Sequence, residues 1–370
     1  MIYIHVPFCH RKCTYCAFFS RPLHNDDALR RYVDAMLAEM QSRKDEQHHP
    51  IRTVYFGGGT PSLLSIDHLA RIVDALRRCF DLSRLEEATL EANPEDLTPS
   101  YLADLAALGF FNRLSIGIQS LDDTMLRLIG RRHTAAQAID ALENAHRSGF
   151  SNISVDFIYG LPANFPLSTF HFPLVTHLSA YAITVEPGTA LALQVEQGRV
   201  QLPDEDDVVL QYHALHGIFE AAGFRQYEVS NYSRPGYESR HNSRYWDRTP
   251  YLGLGPGAHS FDGHVRRWNI SDLGLYCNSL LAAQGSVPVD YYQQERLSAT
   301  DAYNELLMTS LRTVRGLPLS LVPDAYKKEL HRKMQLYIGC GWIVADADAY
   351  RPTAEGLLHA DGMAANLFVA

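Results

Sequence analysis

The chain has no run of about eighteen consecutive apolar residues, the least that crosses a bilayer as a helix, so its 370 residues are not expected to include a membrane span. It also lacks a basic leader with a small-residue cleavage site. Met1 runs straight into "IYIHVPF", and export is not expected. There is no excess of positive charge. Lysine and arginine number 33 against 42 acidic residues, and a net charge of -9 argues against a protein built to neutralise phosphates, so no nucleic acid partner is expected. The local basic spots, "RRHT" at 131–134 and "HVRRW" at 264–268, suit a small anion better. Low-complexity segments are missing, and so is a disulfide framework. Of six cysteines, Cys79, Cys277 and Cys340 are scattered and read as small buried hydrophobes. That usage fits a reducing compartment, and a cytoplasmic protein is expected.

With 46% hydrophobic and 20% charged residues, the length suits one large domain with a smaller companion. The first half repeats a rhythm of short apolar run, loop and helical pattern. Strand-like runs are "IYIHV" (2–6), "TVYFG" (53–57), "ATLEA" (88–92), "RLSIGI" (113–118), "ISVDFIY" (153–159) and "AYAITV" (180–185). Amphipathic stretches such as "SIDHLARIVDALRRCF" and "TPSYLADLAALG" lie between them, with Ser65 and Thr98 as N-caps and Gly109 and Gly149 as stops. Strands alternating with helices at this spacing predict parallel βαβ units. Six strands are too few to close an eight-stranded barrel, so the expected α/β fold is an incomplete parallel (β/α)6 barrel. Its loops after the strand C-termini build the site. The rhythm changes after "LPDEDDVVLQYHALHGIFEAAG". Residues 1–223 are read as the barrel, 224–299 as a linking region, and 300–370 as a small C-terminal α+β domain of winged-helix type.

The remaining cysteines, Cys9, Cys13 and Cys16, are spaced C-x3-C-x2-C just after the first strand. Zinc would call for a further Cys or His pair downstream, and His241, His259 and His264 lack that paired spacing. Three thiolates on one loop fit a 4Fe-4S cluster better. Its fourth iron stays open to chelate the amino and carboxylate groups of S-adenosylmethionine (SAM). One-electron reduction would then cleave the sulfonium to a 5′-deoxyadenosyl radical.

This cysteine loop, with Tyr15 before the last cysteine, resembles the signature of the radical SAM superfamily, and "YFGGGTPSLL" (55–64) resembles its glycine-rich SAM motif. Glycines there let backbone N–H and C=O groups approach the methionine moiety closely. "LEANPEDLT" (90–98), "RLSIGIQSLDDTMLRLIGRRH" (113–133) and "SVDFIYGLP" (154–162) extend the likeness to one family within it. That family includes oxygen-independent coproporphyrinogen III oxidase and the radical SAM haem chaperones. The resemblance covers roughly residues 1–315 and implies SAM contacts at Tyr3, Gly58, Gly59, Thr60, Glu91, Gln119, Arg131 and Asp156. Carboxylates at 91 and 156 would accept from amino or ribose groups, and Arg131 would pair with the methionine carboxylate. On residue chemistry alone, Glu91 or Asp156 could be helix caps or salt-bridge members, and Arg132 could replace Arg131.

Three features bear on the branch. The oxidase pattern continues to a C-x-C, but here Phe18 stands in that place. The "CAFFS" continuation is similar to the chaperone branch, with Ala17 where an aspartate is usual. "HNSRYW" (241–246) matches the chaperones' H-N-x-x-Y-W, which implies haem contact at His241, Tyr245 and Trp246. The same residues could simply satisfy loop backbone and fill core. "YLGLGPGAHSF" (251–261) puts His259 near the expected SAM pocket, where it would meet haem, substrate or SAM, or lie buried and hydrogen-bonded. The cysteine loop also begins within ten residues of Met1, leaving no room for the oxidase's N-terminal extension.

The expectation is a haem chaperone that binds a 4Fe-4S cluster, SAM and haem. Flavodoxin or ferredoxin would supply electrons, and haem would pass to recipient haem proteins, including some at the membrane surface. The alternative is catalysis on a tetrapyrrole, by coproporphyrinogen decarboxylation or by haem methylation and ring opening.

Overall fold

The computed structural model describes every residue except 24, 163–169, 171, 284–289 and 370. Six parallel strands lie side by side in chain order: β1 (Ile2–Val6), β2 (Thr53–Gly58), β3 (Glu87–Ala92), β4 (Arg113–Gln119), β5 (Ile153–Tyr159) and β6 (His177–Ala182). Every second residue, among them Ile4, Phe56, Leu90, Ile116, Val155 and Leu178, is fully buried in the main core beneath the helices. The alternate residues face the barrel interior and are largely polar: Thr53, Glu87, Thr89, Glu91, Arg113, Ser115, Ser154, Asp156, His177 and Ser179. This explains a shift in the sixth strand, expected at 180–185 and found at His177–Ala182. Its first inward residues, His177 and Ser179, are polar and do not read as strand.

The outer helices cover the apolar face at helical spacing. In helix Ile66–Cys79, the buried residues Leu69, Ile72, Val73 and Leu76 form one stripe. Each is worth about 1.5–3 kcal/mol of burial. Ser65 and Thr98 cap their helices by accepting from His68 N and Tyr101 N, and Gly109 and Gly149 carry positive φ where those helices or their successors stop.

The sheet does not end at residue 223. Three further strands join it, β7 (Arg225–Gln226), β8 (Asn231–Ser233) and β9 (Leu252–Leu254), and β10 (His259–Phe261) follows outside it. β9 pairs in parallel with the free edge of β1, while β8 adds antiparallel to β6 and β7 antiparallel to β8, making nine strands among the described residues with an open gap between the ends. β10 instead joins β11 (Val265–Asn269) and β12 (Tyr292–Arg296) in a small antiparallel sheet. Helix Asp26–Arg43 is bolted to the β9 edge through the fully buried Glu39. That carboxylate accepts from Arg43, Gly255 N, Asn269 and Tyr276 at 2.6–3.1 Å.

The N-terminal end of the barrel is plugged by helix Arg240–Trp246. Glu87 accepts from the N–H groups of Arg240 and His241, both at 2.9 Å. Beside it, Ser154, His177 and Tyr227 form a second bonded chain at 2.7 and 2.8 Å.

A separate core, including Leu307, Leu311, Leu330, Met334, Ile343 and Leu367, builds the C-terminal domain. Its order is helix Ala299–Ser310, β13 (Leu317–Pro318), helix Asp324–Gly339, the hairpin β14 (Ile343–Ala345) and β15 (Ala349–Pro352), then two short helices. That order is winged-helix-like, with the sheet arranged β13-β15-β14. Among the described residues no helix is long and apolar enough to cross a membrane.

Candidate functional site

At the C-terminal ends of the strands, a cavity of about 460 Å³ opens into the barrel interior. The loop that carries Cys9, Cys13 and Cys16 forms one wall. It is seated from two sides. Gly59 N donates to Val6 O and Thr60 N to Phe8 O, both at 2.7 Å. Across the cavity, Thr14 N donates to Ile129 O at 3.1 Å and Arg11 Nη2 to Gly130 O at 2.9 Å. Gly58 has φ +108°, and a Cβ there would meet the His5 ring at 2.6 Å; a Cβ on Gly59 would lie 2.4 Å from Phe8 O. These glycines therefore seat the cysteine loop as well as leaving room for a ligand.

All three cysteines are partly exposed, and neither they nor the other three form a disulfide. Burial pushes the Cys16 thiol above its ordinary value. Arg131 Nη1 approaches Cys13 Sγ at 3.6 Å, while Nη2 donates to Asn93 Oδ1 and Gly117 O at 2.7 Å. Arg132 instead lies outside the cavity, 3.7 Å from Glu95, so Arg131 is the arginine that faces the site.

Gly58, Gly59, Thr60, Glu91, Gln119, Arg131 and Asp156 all line the cavity with the cysteines. Gln119 sits past a bulge at the end of β4 with φ +68°, a strained conformation for a side chain with a Cβ. Glu91 is neither helix cap nor ion-pair member. Its oxygens accept from Tyr55 OH at 2.7 Å and Gly58 N at 3.2 Å. Burial raises it to about 7, with the nearby Asp156 adding to the shift. Asp156 is raised too, chiefly by burial, and is held by Ser179 and Ser115.

Five expected residues do not line this cavity. Tyr3 lies behind Tyr55, their rings stacked at 6.2 Å, with its hydroxyl 3.1 Å from His5 Nδ1. His241, 1% exposed, belongs to the barrel plug, and both its ring nitrogens are engaged, with Thr53 at 2.9 Å and Tyr245 at 3.1 Å. Tyr245 is half-buried beside it, and Trp246 packs under the Arg312 guanidinium. A motif that reads as a ligand face is here the floor of the barrel, and only its Asn242 reaches the cavity. His259 is exposed on β10, its ring 6.1 Å from Trp268. Residues not picked out from sequence but present in the wall include Tyr55, Asn93, Arg113, Ser115, Ser179 and Tyr181. Their signal was polar residues at every second position of otherwise apolar strands.

The Radical SAM superfamily model matches residues 3–165, and the HemN C-terminal domain model matches 297–359. A protein of Mycobacterium tuberculosis called heme chaperone HemW is 35% identical over 99% of this chain and 94% of its own length. The chain belongs to the HemW family. A Lactococcus lactis HemW is 34% identical, covering 88% of this chain and 84% of its own. The bovine mitochondrial radical S-adenosyl methionine domain-containing protein 1 is 40% identical over 85% and 74%. Among solved structures, the Escherichia coli radical SAM enzyme coproporphyrinogen III oxidase (HemN) aligns with TM-score 0.82 at 23% identity. It covers all of this chain and 89% of its own, which shows that the HemW-family chain has the same fold.

Proposed function

We propose that this chain is a haem chaperone that holds a 4Fe-4S cluster and SAM in the barrel cavity and passes bound haem to recipient haem proteins in the cytoplasm or at the membrane surface. The observation that carries the cofactor reading is the gathering of three undisulfided thiols, a glycine cradle, Arg131 and two buried carboxylates around one cavity. The donor set fits a cluster better than zinc. Among the described residues no three His, Cys, Asp or Glu side chains converge closely enough for one metal ion, whereas the cubane spreads its thiolates further apart. Cys9, Cys13 and Cys16 would hold the irons, and a cluster so held supplies an open coordination site and one electron for cleaving the sulfonium of SAM. Arg131 would pair with the SAM carboxylate, while Glu91, Asp156 and Gln119 would accept from its amino and ribose groups. A ferredoxin- or flavodoxin-type protein would supply the electron.

The haem reading rests on the identity to heme chaperones over nearly their full length. We place iron contact at His259 rather than His241. His259 is exposed, and partial desolvation together with the nearby Arg266 lowers the pKa of its imidazole, which favours the neutral form that binds iron. The test is anaerobic incubation of reconstituted, reduced protein with SAM and haem, the tetrapyrrole then being followed by mass spectrometry. The chaperone reading predicts unchanged haem that remains bound and moves to an apo-haem protein. Loss of CO2, gain of a methyl or ring opening would make this an enzyme on tetrapyrroles.

A further inference from the structure

Arg113 is an unusual residue for the inside of a barrel. It is 1% exposed and lines the cavity, and among the described residues its Nε and Nη1 have no acceptor. The strand register puts it among acids. Arg113 stands opposite Thr89, the next inward position pairs Ser115 with Glu91, and the one above sets Gly117 beside Asp156. On β3 its two diagonal neighbours, within roughly 8 Å, are Glu87, already bonded to the N–H groups of the plug helix, and Glu91; Asp156 stands one inward position beyond the diagonal on β5, still within reach of its charge. A unit charge carries over such distances inside a protein more strongly than in water. Yet the bonds to the two carboxylates come from Tyr55, Gly58, Ser115 and Ser179, not from Arg113.

We infer that Arg113 is a positioning residue whose charge, acting from outside bonding distance, favours the anionic forms of Glu91 and Asp156 while leaving oxygen lone pairs open to a cationic ligand. A direct ion pair would occupy those lone pairs. A neutral residue would leave burial unopposed by that charge. The inference rests on the SAM reading, since the sulfonium of SAM is the cation that would benefit and its amino N–H groups are the donors.

The neighbours leave Arg113 little competition. Glu91 is faced by Tyr3 and Tyr55, by Asp156 and Tyr181, and by Tyr245 from the plug helix, none of them a cation. Asp156 is faced by Arg131 as well as Arg113, but Arg131 is already bonded to Asn93, Gly117 and Cys13.

The experiment is calorimetric SAM binding to cluster-reconstituted, full-length protein between pH 6 and 9. Wild type, Arg113→Gln, Arg113→Lys and Glu91→Gln would be compared, with circular dichroism and cluster absorbance near 400 nm as controls on folding. Wild-type affinity should rise with a midpoint near pH 7. Arg113→Gln should move that midpoint up by about one unit, weaken binding about fivefold at pH 7 and about tenfold at pH 6, and converge on wild type near pH 9. Arg113→Lys should keep the wild-type midpoint. Glu91→Gln should remove the pH dependence near 7, an arm that stands even where Arg113→Gln does not fold. Equal weakening at every pH, no weakening, or a lysine variant that behaves like glutamine would overturn the inference, as would pH dependence that survives Glu91→Gln. Wild-type protein that binds no SAM at any pH would instead overturn the SAM reading itself.

Discussion

At the scale of single residues, the cavity trades stability for binding. Glu91 is raised to about 7 by burial, so in the folded protein it binds its proton more tightly than in the unfolded chain. An acid whose folded pKa lies above its unfolded one costs stability as pH climbs through that window, and the full cost is present above pH 7. Glu91→Gln should therefore stabilise the ligand-free protein at pH 8. The gain should be about 1–2 kcal/mol, allowing for water in the cavity, and should vanish near pH 4. Denaturant unfolding at both pH values checks this; equal midpoints for variant and wild type at pH 8 would contradict it. Cys13→Ala should remove the cluster absorbance while leaving the far-ultraviolet spectrum unchanged, because Cys13 is partly exposed and fills no core. His241→Ala belongs to a different class. Thr53 and Tyr245 would each lose a buried partner, at about 1–3 kcal/mol apiece, so the expected result is a lower melting temperature with haem binding retained when measured below it. His259→Ala should do the reverse, changing the haem spectrum and not the stability.

At the scale of elements, the loops and strands differ in how far they could be read. The outward face of every barrel strand is aliphatic and packs on helices, so the runs beginning at Ile2, Thr53, Ala88, Arg113 and Ile153 were legible. The inward face was not, because a polar residue inside a barrel looks like a polar residue at a surface. That is why the apolar pattern starts the sixth strand after His177 and Ser179, and why it does not single out Tyr55, Arg113 and Tyr181 as cavity wall. The cysteine loop and its glycines were legible because their spacing is chemical and contiguous. His241 was not. Its role depends on Thr53, 188 positions away, and no local pattern reports that bond. The same reasoning predicts the behaviour of Gly59→Ala. Its Cβ would press on backbone at Phe8 and Val6, not on a yielding side chain, so the cysteine loop itself must shift. Cluster assembly should fall sharply, with iron content per chain as the measure. Full iron content would mean that the loop tolerates displacement.

At the scale of the whole molecule, the chain contains two cores joined by a largely polar seam. The barrel core takes in residues from Ile2 to Tyr291, and the C-terminal core runs from Tyr303 to Leu367 with none shared. Across the seam lie a bridge between Glu228 and Thr313, bonds from Val229 N to Arg312 O at 2.9 Å and from Val314 N to Tyr227 O at 3.1 Å, the packing of Leu358 on the barrel core, the Arg312 guanidinium over Trp246, and the ion pairs of Arg248 and Arg266 with Glu305 and of Arg315 with Asp247. Partly exposed pairs of this kind are worth at most about 1 kcal/mol each. The residues that line the cavity lie within 9–242, all of them on the barrel side. A ligand stabilises only the unit whose folding creates its site. Calorimetry of the cluster-loaded protein should accordingly resolve two transitions, with saturating SAM raising the barrel transition and leaving the other in place. Arg248→Ala combined with Arg266→Ala should separate them further by lowering the C-terminal transition. A single transition that SAM moves as a whole would mean the seam couples the two cores more strongly than its contacts suggest, and SAM occupancy would then be felt in the C-terminal domain as well.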